Sequence, residues 1–171
     1  PQKNHQYVMD IAAEVAKREP KMRLLLVGEG ELITDIKQKV IQMGLTDKVI
    51  FAGIRSDIAR LMMGAMDAFV FPSLYEGLGL VLIEAQAAGL PCILSDVIPE
   101  EADVVKPLMK RMSLLQPAYS WAEAILAIRK TEKSITQQQA LKYIEESSFN
   151  IQNSLKYLEN LYVEESNVLC P

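Results

Sequence analysis

The chain has 171 residues, half of them hydrophobic, with 18 Lys plus Arg against 22 Asp plus Glu and a net charge of −4. That is one globular domain's worth of chain, able to bury about 70% of its unfolded surface. The acidic balance excludes an electrostatic footprint for nucleic acid or an anionic bilayer, and one histidine, His5, with two distant cysteines, Cys92 and Cys170, offers neither a transition-metal ligand set nor a disulfide framework.

The cysteine usage points to a reducing, cytoplasmic setting. The longest uncharged stretches, 85–95 and 112–122, are 11 residues each and broken by proline, against about 20 apolar residues for a membrane helix. No transmembrane segment or signal peptide is expected. The chain opens on Pro1 rather than Met, as a piece of a longer protein would.

In chain order, Val8, Ile11, Ala12 and Val15 predict a helix over 5–18, followed by an apolar strand at 23–27. Ile33, Ile36, Val40 and Met43 predict a helix over 32–43 that Gly44 stops. A strand at 48–52, a short helix at 58–66, a strand at 68–71, a helix at 79–88 ended by Gly89-Leu90-Pro91 and a strand at 91–95 follow. Such short apolar runs read as parallel strands buried on both faces, and their alternation with helices is the signature of an α/β doubly wound sheet. Past residue 100 a weak edge strand is expected within 104–115, then helices at 121–130, 135–145 and 151–163, the last with Asn150 as N-cap. Its stripe of Ile151, Leu155, Leu158 and Tyr162 needs something to pack on.

Open α/β sheets bind ligands beyond the carboxyl ends of their strands, so the four loops found there carry the functional signal. Gly28-Glu-Gly30-Glu-Leu-Ile33 fails as a dinucleotide fingerprint because Ile33 stands where a third glycine is needed, yet its two glycines suit either a close ligand or a tight turn. In the second loop Arg55 either meets a ligand or is a surface residue beside an Asp57 that caps the next helix. The fourth loop, 95–101, is acidic and either closes over the site or caps a helix.

The third loop, Phe71-Pro72-Ser73-Leu74-Tyr75-Glu76-Gly77-Leu78-Gly79, is the most informative. From Gly77 to Leu90 the only charged residue is Glu84, whose apolar neighbours predict near-complete burial; it is then either satisfied internally or facing a pocket for ligand hydroxyls. Glu76 lies eight residues earlier, about 12 Å away along a helix rising 1.5 Å per residue. That suits an extended ligand, with a diphosphate on the amides of Gly77–Gly79 at the positive helix end and a diol at each carboxylate. A glycosidase pair fits poorly, since its carboxyl groups stand about 5–10 Å apart across one bond.

Glu76-x7-Glu84, within the run from Phe71 to Asp96, resembles the core motif of the retaining family-4 glycosyltransferases of GT-B fold, of the bacterial exopolysaccharide and capsular-polysaccharide type. The likeness extends through Leu25-Leu-Val-Gly-Glu-Gly30, Val49-Ile-Phe-Ala-Gly53 and Pro1-Gln-Lys-Asn-His5, about the first hundred residues, and returns in Phe149-Asn-Ile-Gln-Asn-Ser-Leu. It implies a Rossmann-like donor-binding domain over 1–146, the C-terminal half of a GT-B enzyme, and a C-terminal helix over 147–171 that crosses back to an N-terminal acceptor-binding domain absent from this chain. Glu84 would then bind the ribose of a UDP- or GDP-sugar, and Glu76, the catalytic candidate, hydroxyls of the transferred sugar. The amides of Gly77, Leu78 and Gly79 would contact sugar and diphosphate, Lys3 would pair with the diphosphate, Arg55 would meet the base, and Gly28 and Gly30 would line the cleft. The arginine that precedes this lysine in the family would lie upstream of Pro1. The implied reaction transfers a sugar to an acceptor hydroxyl with retention, in cell-surface glycan biosynthesis. The resemblance also implies that no metal or cofactor is needed, the helix amides and Lys3 stabilising the diphosphate charge, and the absence of an Asp-x-Asp motif agrees. The enzyme would be cytoplasmic, reaching the inner membrane face through the absent domain. A non-catalytic nucleotide-binding module and a GT-B sugar-nucleotide epimerase are the alternatives.

Overall fold

The computed structural model describes residues 2–128, 130 and 135–168, with side chains as far as Tyr162; Cys170 lies outside the described residues. The order of elements is α1 (His5–Ala16), β1 (Leu24–Leu26), α2 (Ile33–Gln42), β2 (Val49–Phe51), α3 (Ile58–Ala65), β3 (Phe69–Phe71), α4 (Leu80–Ala87) and β4 (Cys92–Ser95). Two short 3-10 turns, β5 (Met109–Met112), α5 (Ala118–Ile128), α6 (Gln137–Glu146) and α7 (Ile151–Val168) complete it. The expected edge strand is β5, which among the described residues pairs with β4 alone.

Every strand pairing is parallel, but the hydrogen bonds divide into two sets, β1-β2 and β3-β4-β5. Around the second set the chain is doubly wound as expected. Phe71, Cys92 and Leu94 pack with Met62 of α3 and Leu82 and Ala85 of α4 on one face. On the other, Ile93 packs with Ile11 and Val15 of α1 and with Trp121, Ala122 and Ala124 of α5. Helix α1 reaches both sets, since its Val8, Met9 and Ala12 join Ile36, Val40 and Val49 in a further cluster.

Burial on both faces holds in full only for β4; β1 is half-buried throughout, and Ile50 in β2 is 47% exposed. Strand residues alternate between faces, and α1 and α2 cover only the face that carries Leu24, Leu26, Val49 and Phe51. An apolar run thus announced two covered faces where the helices supply one.

Both glycine stops form as read. Gly89 takes φ 71°, its N–H bonds to the Gln86 carbonyl at 2.8 Å, and Leu90 N–H bonds to the Ala85 carbonyl at 3.0 Å, the paired bonds of a Schellman ending. Gly44, φ 66°, ends α2 in the same way. Asn150 caps α7, its side chain accepting from Gln152 N–H at 2.9 Å. The α7 stripe is uncovered: Ile151, Leu155, Leu158 and Tyr162 belong to none of the core clusters and are exposed.

Two outcomes follow from this packing. A Cβ on Gly89 would stand 2.8 Å from Gln137 Cα, in a left-handed backbone as well, so Gly89→Ala destabilises by about 2–4 kcal/mol in denaturant unfolding. Desolvation, with Asp103 second, pushes the buried Cys92 thiol up to about 12. In a Cys170→Ser background, Cys92 therefore reacts with iodoacetamide at pH 8 only when the fold is opened by denaturant.

Candidate functional site

The stretch between β3 and α4 must carry the chain from the end of a strand to the start of a covering helix, and it holds a cluster of polar contacts beyond the strand end. Glu76 lies in this loop, not on the helix. Since α4 begins only at Leu80, the 12 Å helical spacing expected between the two carboxylates does not apply to the first half of the interval.

Glu76 is nearly buried, with a side chain 6% exposed, and the chain's own first residues satisfy it. Lys3 Nζ donates to Oε1 at 2.6 Å and Gln2 Nε2 to Oε2 at 3.3 Å. Gln2 Nε2 also reaches the Tyr75 carbonyl at 3.1 Å, and Leu74 N–H donates to the Gln2 carbonyl at 2.9 Å. Lys3 Nζ stands 4.7 Å from the centre of the Phe71 ring, a cation over an aromatic face. Lys3 is thus held against Glu76. Gln2 has no chemical signature in the sequence; its partners lie 73 and 74 positions away and only folding reveals them.

Beyond Glu76 the backbone supplies donors. Gly79 starts α4 in a left-handed conformation, φ 76°, with no side-chain cap. The N–H groups of residues 77–81 meet no acceptor among the described residues, as the first turn of an uncapped helix leaves them. They are free for an anion.

Glu84 corrects the expectation of burial: it is exposed and has no hydrogen-bond or ion-pair partner among the described residues. Helix α4 is apolar nearly all round, so its sequence does not say which face meets solvent. Leu82, Ile83, Ala85 and Gln86 turn inward, while Glu84 shares the open face with Leu80, four residues earlier and 63% exposed.

The remaining candidates form a second group. Gly28 N–H donates to the Gly53 carbonyl at 2.8 Å, tying together the loops that follow β1 and β2, and Gly30 is exposed nearby in sequence. Arg55 clasps Asp57 through two bonds of 2.8 and 2.7 Å. Asp57 therefore does not cap α3 with its side chain; the hydrogen bond from Arg55 holds its carboxyl below the ordinary value. Among the described residues no hydrogen bond or ion pair joins this group to Glu76 or Glu84.

The acidic loop after β4 is tied down. Arg111 on β5 donates to Asp103 at 2.8 and 2.9 Å and to the Pro99 carbonyl at 3.0 Å. Buried Gln86 donates to the Ala102 carbonyl at 2.7 Å and accepts from Val105 N–H at 2.7 Å. Ser95 Oγ bonds the Ser73 carbonyl at 2.6 Å, locking the ends of β3 and β4, while the buried Ser73 hydroxyl has no partner among the described residues. None of these braces carries a sequence motif.

The chain is similar to other proteins over much of its length. It is 45% identical over 123 residues to EpsF of Bacillus subtilis, covering 72% of this chain and 32% of that protein. To the Escherichia coli UDP-Gal:alpha-D-GlcNAc-diphosphoundecaprenol alpha-1,3-galactosyltransferase it is 39% identical over 100 residues, 57% of this chain and 26% of that enzyme. The chain thus spans about a third or less of these relatives. In fold it superposes on Anabaena HepE, solved with UDP, with a TM-score of 0.79 at 23% identity, over 95% of this chain and 46% of that one. The two sets of parallel strands with their helices are the mixed α/β arrangement of a GT-B glycosyltransferase half. The family of glycosyl transferases group 1 matches residues 1–147, taking in Lys3, Glu76, Glu84 and every strand, and this chain belongs to it.

Proposed function

We propose that this chain is the donor-binding part of a retaining glycosyltransferase, one that moves a sugar from a nucleoside diphosphate to an acceptor hydroxyl in bacterial cell-surface polysaccharide biosynthesis. The observation that carries the reading is the gathering of Lys3, Glu76 and the free amides of residues 77–81 beyond β3, followed along α4 by the unpartnered Glu84. A carboxylate left in water without a partner on an otherwise apolar helix is suited to ligand hydroxyls. Glu84 takes the ribose, and Glu76 the hydroxyls of the transferred sugar. The diphosphate lies on the amides of Gly77, Leu78 and Gly79 and on Lys3, while Gly28, Gly30 and Arg55 border the base.

In the transfer step the bond from the anomeric carbon to the diphosphate breaks and a bond to the acceptor oxygen forms on the same face of the sugar. Amides and ammonium already aimed at the departing phosphate stabilise its growing charge without reorganising, so this donor set needs no divalent metal for that task. The departing phosphate takes the acceptor's proton. The UDP held by HepE and the UDP-Gal in the name of the Escherichia coli relative make uridine nucleotides the first donors to test. Helix α7 extends from the donor domain, and its exposed stripe packs against the rest of a longer polypeptide that binds the acceptor.

Calorimetric titration with UDP, GDP and their sugar conjugates, without metal, gives binding of one nucleotide series. Glu84→Gln weakens it about tenfold, the scale of one charge-assisted hydrogen bond to a ligand, while shifting unfolding free energy by less than about 0.5 kcal/mol because the residue is exposed. Unchanged affinity in that variant overturns the reading of the site. Incubated with a radiolabelled UDP-sugar and lipid or glycan acceptors, the chain alone transfers nothing, and measurable transfer would refute the division of labour.

A further inference from the structure

We propose that Lys3 and Glu76 form an exchange latch: without nucleotide the ammonium neutralises the carboxylate, and the donor's diphosphate takes the ammonium over and releases Glu76 Oε1 for a sugar hydroxyl. This rests on the donor-binding reading above and adds to it an order of events and a competition within the site.

The pair is built for exchange. Glu76 is almost fully buried and needs a cation, which Lys3 provides at 2.6 Å, but Lys3 itself is 44% exposed, so its side chain stays open to solvent. Lysine carries three donors on a compact point charge and can turn them to a new acceptor without moving its backbone. That backbone is fixed by the Gln2 carbonyl on Leu74 N–H and by Asn4, whose left-handed φ of 53° starts the turn into α1. The Phe71 ring limits the ammonium from one side. A diphosphate, with more charge than a carboxylate and with the free amides of residues 77–81 beside it, displaces Glu76 from Lys3. Gln2 keeps hold of Oε2 and of the Tyr75 carbonyl, so the released carboxylate stays in place as a positioned acceptor.

Nucleoside diphosphate without sugar must therefore break the pair and recovers nothing at Glu76, whereas the sugar conjugate replaces the lost contact with a hydroxyl. Titration of this chain and its variants with UDP, UDP-glucose, GDP and GDP-mannose tests the exchange. In the series that binds, Glu76→Gln binds the nucleoside diphosphate about two- to five-fold tighter, the worth of a part-exposed ion pair, and the advantage of the sugar conjugate shrinks. Lys3→Gln weakens the nucleoside diphosphate, and adding Glu76→Gln to it brings no tightening. Should Glu76→Gln lose its circular dichroism, Glu76→Asp, one methylene shorter, carries the same expectation. Parent binding with no tightening in either folded variant overturns the latch alone. Absence of binding by the parent and every variant overturns the donor-site reading and the latch with it.

Discussion

Strand β4 has to be dried on both sides, and the rest of the molecule arranges itself around that need. Cys92 and Leu94 lose water only under α3 and α4, and Ile93 only under α1 and α5. Each large side chain hidden in this way stabilises the fold by about 1.5–3 kcal/mol. Parallel neighbours require crossovers, so a loop leaves the carboxyl end of each strand toward a covering helix. The stretch from Pro72 to Gly79 is such a loop, forced to leave β3 and enter α4 within eight residues, and its one charged residue is Glu76.

Two glutamates separated by eight positions meet opposite physical conditions there. Glu76 is taken out of water and compensated by a lysine and an amide from the start of the chain; Glu84 keeps its hydration and has no partner among the described residues. An isolated buried carboxylate would cost several kcal/mol, so the Glu76 environment depends on Lys3 being present. The clasp of Arg55 on Asp57 is different in kind. It lies in solvent, where such a pair adds little to stability, and its effect is to hold the guanidinium in one posture at the end of β2.

The chain leaves some surface unmatched. No strand among the described residues pairs with the second edge of β1 or of β3, and no helix covers Ile50. Helix α7 carries an apolar stripe into solvent. These features belong to a chain that spans about a third or less of the relatives it matches.

Much of this was legible in the residues. Apolar runs, helical spacing and the stops at Gly44 and Gly89 set the element order, because local backbone preference and periodicity act within a few residues. The run from Phe71 to Asp96 also pointed to the family. Three things were decided only by tertiary structure. Which face of α4 meets water was hidden by a sequence apolar all round, so Glu84 read as buried when it is open. Whether a strand is covered on one face or two depends on helices that its own sequence does not contain. The partnership of Gln2 and Lys3 with Glu76 joins residues more than seventy positions apart, and electrostatic pairing at that separation exists only once the strands have brought the two segments together.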